Sequence, residues 1–274
     1  MKHFVLSAPP GPEGIIRLYE KDYHYLVRVR RLKAGMCFDA VLPGGTETQV
    51  RILSTVDKIL IGECLGTPQQ DKEALFPRHT SLPPIALFQG LPKGTKMDTI
   101  VRQAAEGGVS IVAPFESEYS AVRLGKNSAE KLPRWERIVR EALQQSGSVI
   151  ATEIRPPSGF DALLDYWGTV KKNYRRALGI LLHQEPLAKG SFHDYLCNCP
   201  DFIALAVGPE GGFSPGEVSL FLAAGFRPLV MGNTILRTET AALYGAAAIK
   251  IILLESERWT SGPTESCSLK FPST

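Results

Sequence analysis

Cysteine is scarce in this chain: five are scattered through 274 residues, too few for a disulfide framework at that length. The one close pair, Cys197-Asn-Cys199, has no second pair and no histidine at metal-ligand spacing. No metal site is expected there, and the thiols read as free in a reducing compartment. Long apolar runs are missing as well. None approaches the ~20 residues that a bilayer-spanning helix needs. The apolar stretch near the start, in Met1-Lys-His-Phe-Val-Leu-Ser-Ala-Pro-Pro10, is too short for a secretory signal. The chain therefore reads as cytoplasmic, with no membrane partner. His-Glu-x-x-His does not occur, which removes the sequence basis for a zincin.

A strong excess of one charge is also lacking. A net charge of +3 does not by itself imply a nucleic-acid partner. The distribution says more. Arg28, Arg30, Arg31 and Lys33 crowd the N-terminal part, and Lys171, Lys172, Arg175 and Arg176 form a second cluster. Arg134, Arg137 and Arg140 fall opposite an apolar stripe of Trp135, Ile138, Val139 and Ala142. Each cluster alone suits a solvated face; several in one chain suit contact with RNA.

What is present is ample apolar material, 44% of residues against 22% charged, as expected of a globular chain with a sizeable core. Residues 1–70 carry short apolar segments broken by turn signals at Pro43-Gly-Gly45 and Asp57-Lys58, the pattern of a β-meander over 38–42, 48–53 and 59–64. A helix is expected before it, over 20–29, and together these predict a small β-barrel. Residues 67–84 are polar and proline-rich and read as a linker. Beyond them strands and helices alternate: strands at 85–88, 111–115, 177–183, 202–207 and 228–231, helices at 96–106, 134–145, from Ser214, and at 238–254. That alternation predicts a mainly parallel sheet covered on both faces, with ligands beyond the carboxyl ends of its strands. The last helix is rich in small residues (Ala241, Ala242, Gly245, Ala246, Ala247, Ala248), which suits either close packing on the sheet or contact with a second copy. The polar tail from Ser256 reads as poorly ordered.

The densest motif is Gly208-Pro-Glu-Gly-Gly-Phe-Ser-Pro-Gly-Glu217, between an apolar strand and a helix start. Ser214, Pro215 and Glu217 spell a capping box with proline at the first helical position. The spacing fits neither a dinucleotide fingerprint nor a P-loop, and Glu210 stands where a phosphate would lie. Gly90-Leu-Pro-Lys-Gly-Thr-Lys96 comes near a P-loop but fails in spacing and order.

With Ile235-Leu-Arg-Thr-Glu-Thr-Ala241 and Gln89-Gly-Leu-Pro-Lys-Gly-Thr-Lys-Met-Asp98 added to that loop, the chain resembles the RsmE family, 16S ribosomal RNA (uracil-N3) methyltransferases of the SPOUT superfamily. The resemblance extends through His24 to Gly35, Gln103-Ala-Ala-Glu106, Arg134-Trp135 and Glu141-Ala-Leu-Gln-Gln-Ser146. It implies an α/β protein: a PUA-like β-barrel over 1–70, expected to bind RNA, followed by a SPOUT-type knotted parallel-sheet methyltransferase domain over 80–256. It also implies S-adenosylmethionine as cofactor, 16S rRNA or the small ribosomal subunit as partner, and a homodimer that completes the pocket. On this resemblance the cofactor is lined by Leu182, His183, Gly208, Pro209, Glu210, Gly211, Gly212, Met231, Gly232, Asn233, Ile235 and Leu236, with Gln184 beside them. Methylation at uridine N3 requires loss of the imide proton, so a base or a stabiliser of the uridine anion is needed. Arg237 is the candidate stabiliser, and Glu239 or Glu210 the candidate base. The chain departs from the family at Tyr119, Ser148 and Thr234, where arginine is frequent, and this thins the expected anion-binding surface. Two alternatives remain open on the sequence: a non-catalytic RNA-binding or ribosome-assembly protein on the same fold, and a SPOUT methyltransferase acting at another RNA position such as a ribose 2′-hydroxyl.

Overall fold

The computed structural model describes residues 4–43, 46–66, 82–125, 128–148, 150–187 and 189–259. The expected linker lies almost wholly outside the described residues, as do Gly44-Gly45 of the first expected turn and the tail beyond Trp259.

The N-terminal part builds a five-stranded sheet from β1 (Phe4–Val5), β2 (Ile15–Leu18), β3 (Cys37–Val41), β4 (Glu47–Val56) and β5 (Ile59–Cys64), in the order β1-β3-β4-β5-β2. Its pairs are antiparallel except β1 with β3. The β4–β5 turn is Asp57-Lys58, both at positive φ (55° and 59°), as a two-residue hairpin that matches strand twist requires. The expected helix over 20–29 is α1 (Glu20–Tyr23) running into a π-helical turn (His24–Val29), where the Arg30 N–H reaches the Tyr25 carbonyl at 2.9 Å. That wider turn places Leu26 fully inside a core with Phe4, Phe38, Val50, Ile52 and Leu60.

The rest of the chain is a three-layer α/β unit. Its strands are β6 (Ile85–Gly90), β7 (Ile111–Glu116), β8 (Glu153–Ile154), β9 (Ser158–Gly159), β10 (Ala177–Leu182), β11 (Phe202–Val207) and β12 (Phe226–Leu229). They run β12-β10-β11-β6-β7-β8, with β9 also on β7, and every pair is parallel. The central strands β6 and β11 are buried along their whole length, which explains why they read as continuous apolar runs rather than alternating ones. Their side chains still alternate between faces. Ile85, Leu87, Ile203 and Leu205 meet α2 (Lys96–Gly107), α3 (Leu132–Ser146), α5 (Phe192–Leu196) and α7 (Thr238–Trp259). Ala86, Phe88, Ala204 and Ala206 meet α4 (Phe160–Asn173) and α6 (Pro215–Ala223).

The stripe read on α3 is the buried one: Trp135, Ile138, Val139 and Ala142 are inside, joined by Leu143. Asp98 holds this helix to α2 by accepting from Trp135 Nε1 at 3.1 Å and pairing with Arg134. The small residues of α7 serve packing on the sheet, since a Cβ on Gly245 would stand 2.7 Å from Leu205 Cδ2. The helix continues to Trp259, past the expected end at 254 and into the residues expected to be disordered. No helix among the described residues is long and apolar enough to cross a membrane.

Candidate active site

Three parallel strands, β10, β11 and β12, end on the same side of the sheet, and the segments that follow them enclose a cavity of about 650 Å³. Leu182 and His183 come from the end of β10, and Gly208, Pro209, Glu210, Gly211 and Gly212 from the loop after β11. Met231, Gly232, Asn233, Ile235, Leu236 and Arg237 come from the segment between β12 and α7. Gln184 and Thr234 also line it, as do Lys96, Val207, Phe213, Thr238 and Ala241, which sequence reasoning did not assign to the site. Glu239 is not among the lining residues; it lies in the first turn of α7.

The glycine loop is fixed to the sheet by buried polar groups. Gln89, on β6, is fully buried, and its Nε2 donates to the Gly90 carbonyl and to Thr238 Oγ1, each at 2.9 Å. Thr238 Oγ1 in turn donates to the Gly208 carbonyl at 2.6 Å. One side chain thus joins a central strand, the loop after β11 and the start of α7. The approach is close enough to need glycine on the strand: a Cβ on Gly90 would stand 2.6 Å from Pro209 Cδ and 2.8 Å from Pro209 N. The loop itself turns back through Gly212, at φ 70°, whose N–H meets the Pro209 carbonyl at 2.9 Å.

The capping box read from the sequence forms, with Ser214 Oγ accepting from the Glu217 N–H at 3.2 Å and Glu217 Oε2 from the Ser214 N–H at 2.9 Å. Glu217 does more than cap. It is buried, and it also accepts from Ser117 Oγ at 3.0 Å and the Glu118 N–H at 2.9 Å. The start of α6 is therefore tied to the segment after β7. These partners lie about a hundred residues away in sequence, and nothing local signals them.

Charge on the wall is arranged around Lys96, at the start of α2. Its Nζ donates to Glu210 Oε1 at 2.7 Å and stands 3.9 Å from Glu239 Oε2. Partial burial would raise the Glu210 carboxyl, but hydrogen bonds from Lys96 and from the backbone N–H groups of Glu210 and Lys93 outweigh it and hold the carboxyl below the usual glutamate range. Glu239 Oε2 is buried with no hydrogen-bond partner among the described residues. Arg237 lines the cavity, and among the described residues its side chain has no carboxylate partner. The near-P-loop run thus supplies a cation to this cavity after all, through Lys96. No group of three metal-binding side chains occurs among the described residues.

Residues 80–250 match the family described as an RNA methyltransferase domain. The chain is 32% identical to ribosomal RNA small subunit methyltransferase E of Synechocystis sp. over 88% of its length and 74% of that protein. It is 30% identical to ribosomal RNA small subunit methyltransferase E 2 of Borreliella burgdorferi, over 85% of this chain and 89% of that one. Among solved structures, it is similar to the ribosomal RNA small subunit methyltransferase E of Neisseria gonorrhoeae bound to S-adenosyl methionine. That match has a TM-score of 0.72 and 25% identity, covering 92% of this chain and 98% of the other. A methyltransferase from Legionella pneumophila in complex with the same cofactor gives a TM-score of 0.69 at 26% identity, covering 94% and 98%. With a match across the parallel-sheet unit and relatives that cover most of both chains, the protein belongs to the ribosomal RNA small subunit methyltransferase E (RsmE) family.

Proposed function

We propose that this protein transfers the methyl group of S-adenosylmethionine to N3 of a uridine in 16S ribosomal RNA. The observation that carries this reading is the convergence of three strand-end loops on one cavity that holds Arg237 in its wall. The cavity suits the cofactor. Its volume lies in the range of small-molecule sites. Its charged lining residues are Lys96, Glu210 and Arg237, a mixed set suited to a ligand with a sulfonium, an amine and a carboxylate, and not the cationic cluster that phosphates would need. Backbone groups of 208–212 and 231–236 would hold the adenine and ribose, with Leu182, Met231 and Leu236 as apolar contacts.

When bound, the cofactor supplies an electrophilic methyl carbon. The cavity's lining would hold that carbon in line with uridine N3, and alignment of the two is most of the catalysis. The uridine proton must leave first. Arg237, with no carboxylate partner among the described residues, stabilises the resulting anion. Of the two candidate bases, Glu210 is committed to Lys96 and the Lys93 N–H, whereas Glu239 Oε2 has no hydrogen-bond partner among the described residues but lies behind Lys96, outside the cavity lining.

The finer features belong to the same proposal. The strand-end loops form a SPOUT-type knot, and the N-terminal sheet over 1–70 is a PUA-like barrel that grips the RNA, joined to a methyltransferase domain over 80–256. Two copies pair through the exposed side of α7, and the protein works in the cytoplasm on the small subunit or its RNA. Incubation with methyl-labelled S-adenosylmethionine and small subunits lacking the modification tests the reading. Label in the 16S rRNA is expected; cofactor binding without any transfer to RNA would instead favour a non-catalytic RNA-binding role.

A further inference from the structure

The segment after β7 exposes one aromatic side chain beside the glycine loop that lines the cavity. Tyr119 is 48% exposed. Its neighbours are not: Ser117 and Ser120 are both buried, and the Ser117 N–H donates to Ser120 Oγ at 3.1 Å. A lone exposed tyrosine is ordinary, but this one sits on backbone held from two sides. From within, Glu217 accepts from Ser117 Oγ and the Glu118 N–H. From the surface, Arg123 donates to the Glu118 carbonyl at 3.0 Å and to Glu116 Oε1 at 2.9 Å.

The base of the tyrosine side chain packs on the glycine loop. A Cβ on Gly211 would stand 2.9 Å from Tyr119 Cβ and 3.6 Å from Tyr119 Cγ, so the tyrosine lies directly on a residue that lines the cavity. Of the exposed tyrosines among the described residues (Tyr19, Tyr119 and Tyr244), this is the one packed on that loop. A half-exposed ring mounted on held backbone, against a loop that lines the cavity, matches what unpaired RNA bases stack on. The Arg123 guanidinium, largely exposed beside it, offers charge to a neighbouring phosphate.

We infer that Tyr119 is the stacking platform for an unpaired nucleobase of the substrate RNA, and so a residue that determines substrate affinity without touching the methyl donor. The inference rests on the proposed methyltransferase function and deepens it. Stacking needs the ring and not the hydroxyl, so Tyr119→Ala and Tyr119→Phe separate the two.

The test is steady-state methyl transfer to unmodified small subunits, with cofactor affinity measured by calorimetry on the same proteins. Tyr119→Ala should raise KM for the subunits about tenfold, the scale of one lost base–aromatic stack, with kcat and cofactor affinity near those of the unaltered protein. Tyr119→Phe should match the unaltered protein in all three. An unchanged KM in Tyr119→Ala overturns the inference. So does equal damage in both variants, which would assign the effect to the hydroxyl, or a parallel loss of cofactor affinity, which would reduce the ring to a prop for the glycine loop. Anisotropy of a fluorescein-labelled single-stranded oligouridylate gives a second reading independent of turnover. Weaker binding by Tyr119→Ala alone supports the platform, and equal binding by all three proteins overturns it. If the unaltered protein transfers no methyl group, the functional proposal fails on its own, and the oligouridylate comparison still decides Tyr119.

Discussion

Two residues at the cavity make opposite demands on their surroundings, and each yields a sharp expectation. Gly90 is there because nothing larger fits: its missing Cβ leaves room for the Pro209 ring and backbone. In Gly90→Ala the strand or the loop must shift by several tenths of an ångström, and overpacking of this kind costs about 1–3 kcal/mol. Cofactor affinity measured by calorimetry should fall, together with the thermal midpoint; unchanged affinity would mean that the loop's seat on β6 does not shape the pocket. Arg237, by contrast, is exposed and has no carboxylate partner among the described residues, so Arg237→Ala should leave folding intact. Transfer should drop by about 10²–10³, the usual effect of removing one preorganised donor to a developing anion. Single-turnover kinetics at saturating cofactor would show this, and near-normal turnover would refute its role. At this scale the sequence was most informative for residues close to glycines and caps, whose local chemistry is self-evident. It was silent on Gln89, Lys96 and the second role of Glu217, because their partners are more than ninety residues away.

Among elements, the contact that most needs a test is the latch between the start of α2 and the loop after β11. Lys96 and the Lys93 N–H hold Glu210 ionised below the usual glutamate range. A carboxylate with a depressed folded-state pKa contributes stability that is present above its unfolded value and lost as pH falls through the lowered folded value. Cofactor affinity should therefore persist into mild acid. Lys96→Met removes the principal hydrogen bond and leaves the burial, so the acid limb of the affinity–pH profile should move to higher pH. Superimposable profiles would show that the latch does not shape the site. Element types were largely legible: β11 and the capped helix α6 follow directly from an apolar run, a glycine cluster and Ser-Pro-Gly-Glu. Helix α4 was not, although Leu163, Trp167 and Val170 form a helical stripe. Its start at Gly159 has no side-chain cap, Gly168 interrupts it and Tyr174 follows it, so the glycine stop that marks α2 (Gly108) and α3 (Gly147) is missing. Strands β8 and β9, of two residues each, are too short to carry any period.

For the whole molecule, the alternation of strands and helices beyond residue 84 foretold the layered parallel sheet, and three strand ends facing one way then placed the cavity. The proposed knot is not legible in composition or periodicity, which carry no information about threading. Pairing of two copies is the remaining expectation. Helix α7 keeps Tyr244 and Ile251 more than half exposed, beside a largely apolar groove of about 250 Å³ between α2 and α7. In sedimentation equilibrium the protein should behave as twice its 30.0 kDa chain mass. Ile251→Lys, which sets a charge on that face, should shift it toward the single-chain mass. A single-chain mass for the unaltered protein would remove the dimer from the account.

The central claim is that the arrangement around Arg237 directs the methyl group to a uracil nitrogen. Small subunits lacking the modification, treated with the protein and isotope-labelled S-adenosylmethionine, can be digested to nucleosides and resolved by mass spectrometry. A single labelled product is expected, N3-methyluridine from 16S rRNA, absent with Arg237→Ala. Label on a ribose 2′-hydroxyl or on another base, or no labelled nucleoside despite measurable cofactor binding, would contradict it.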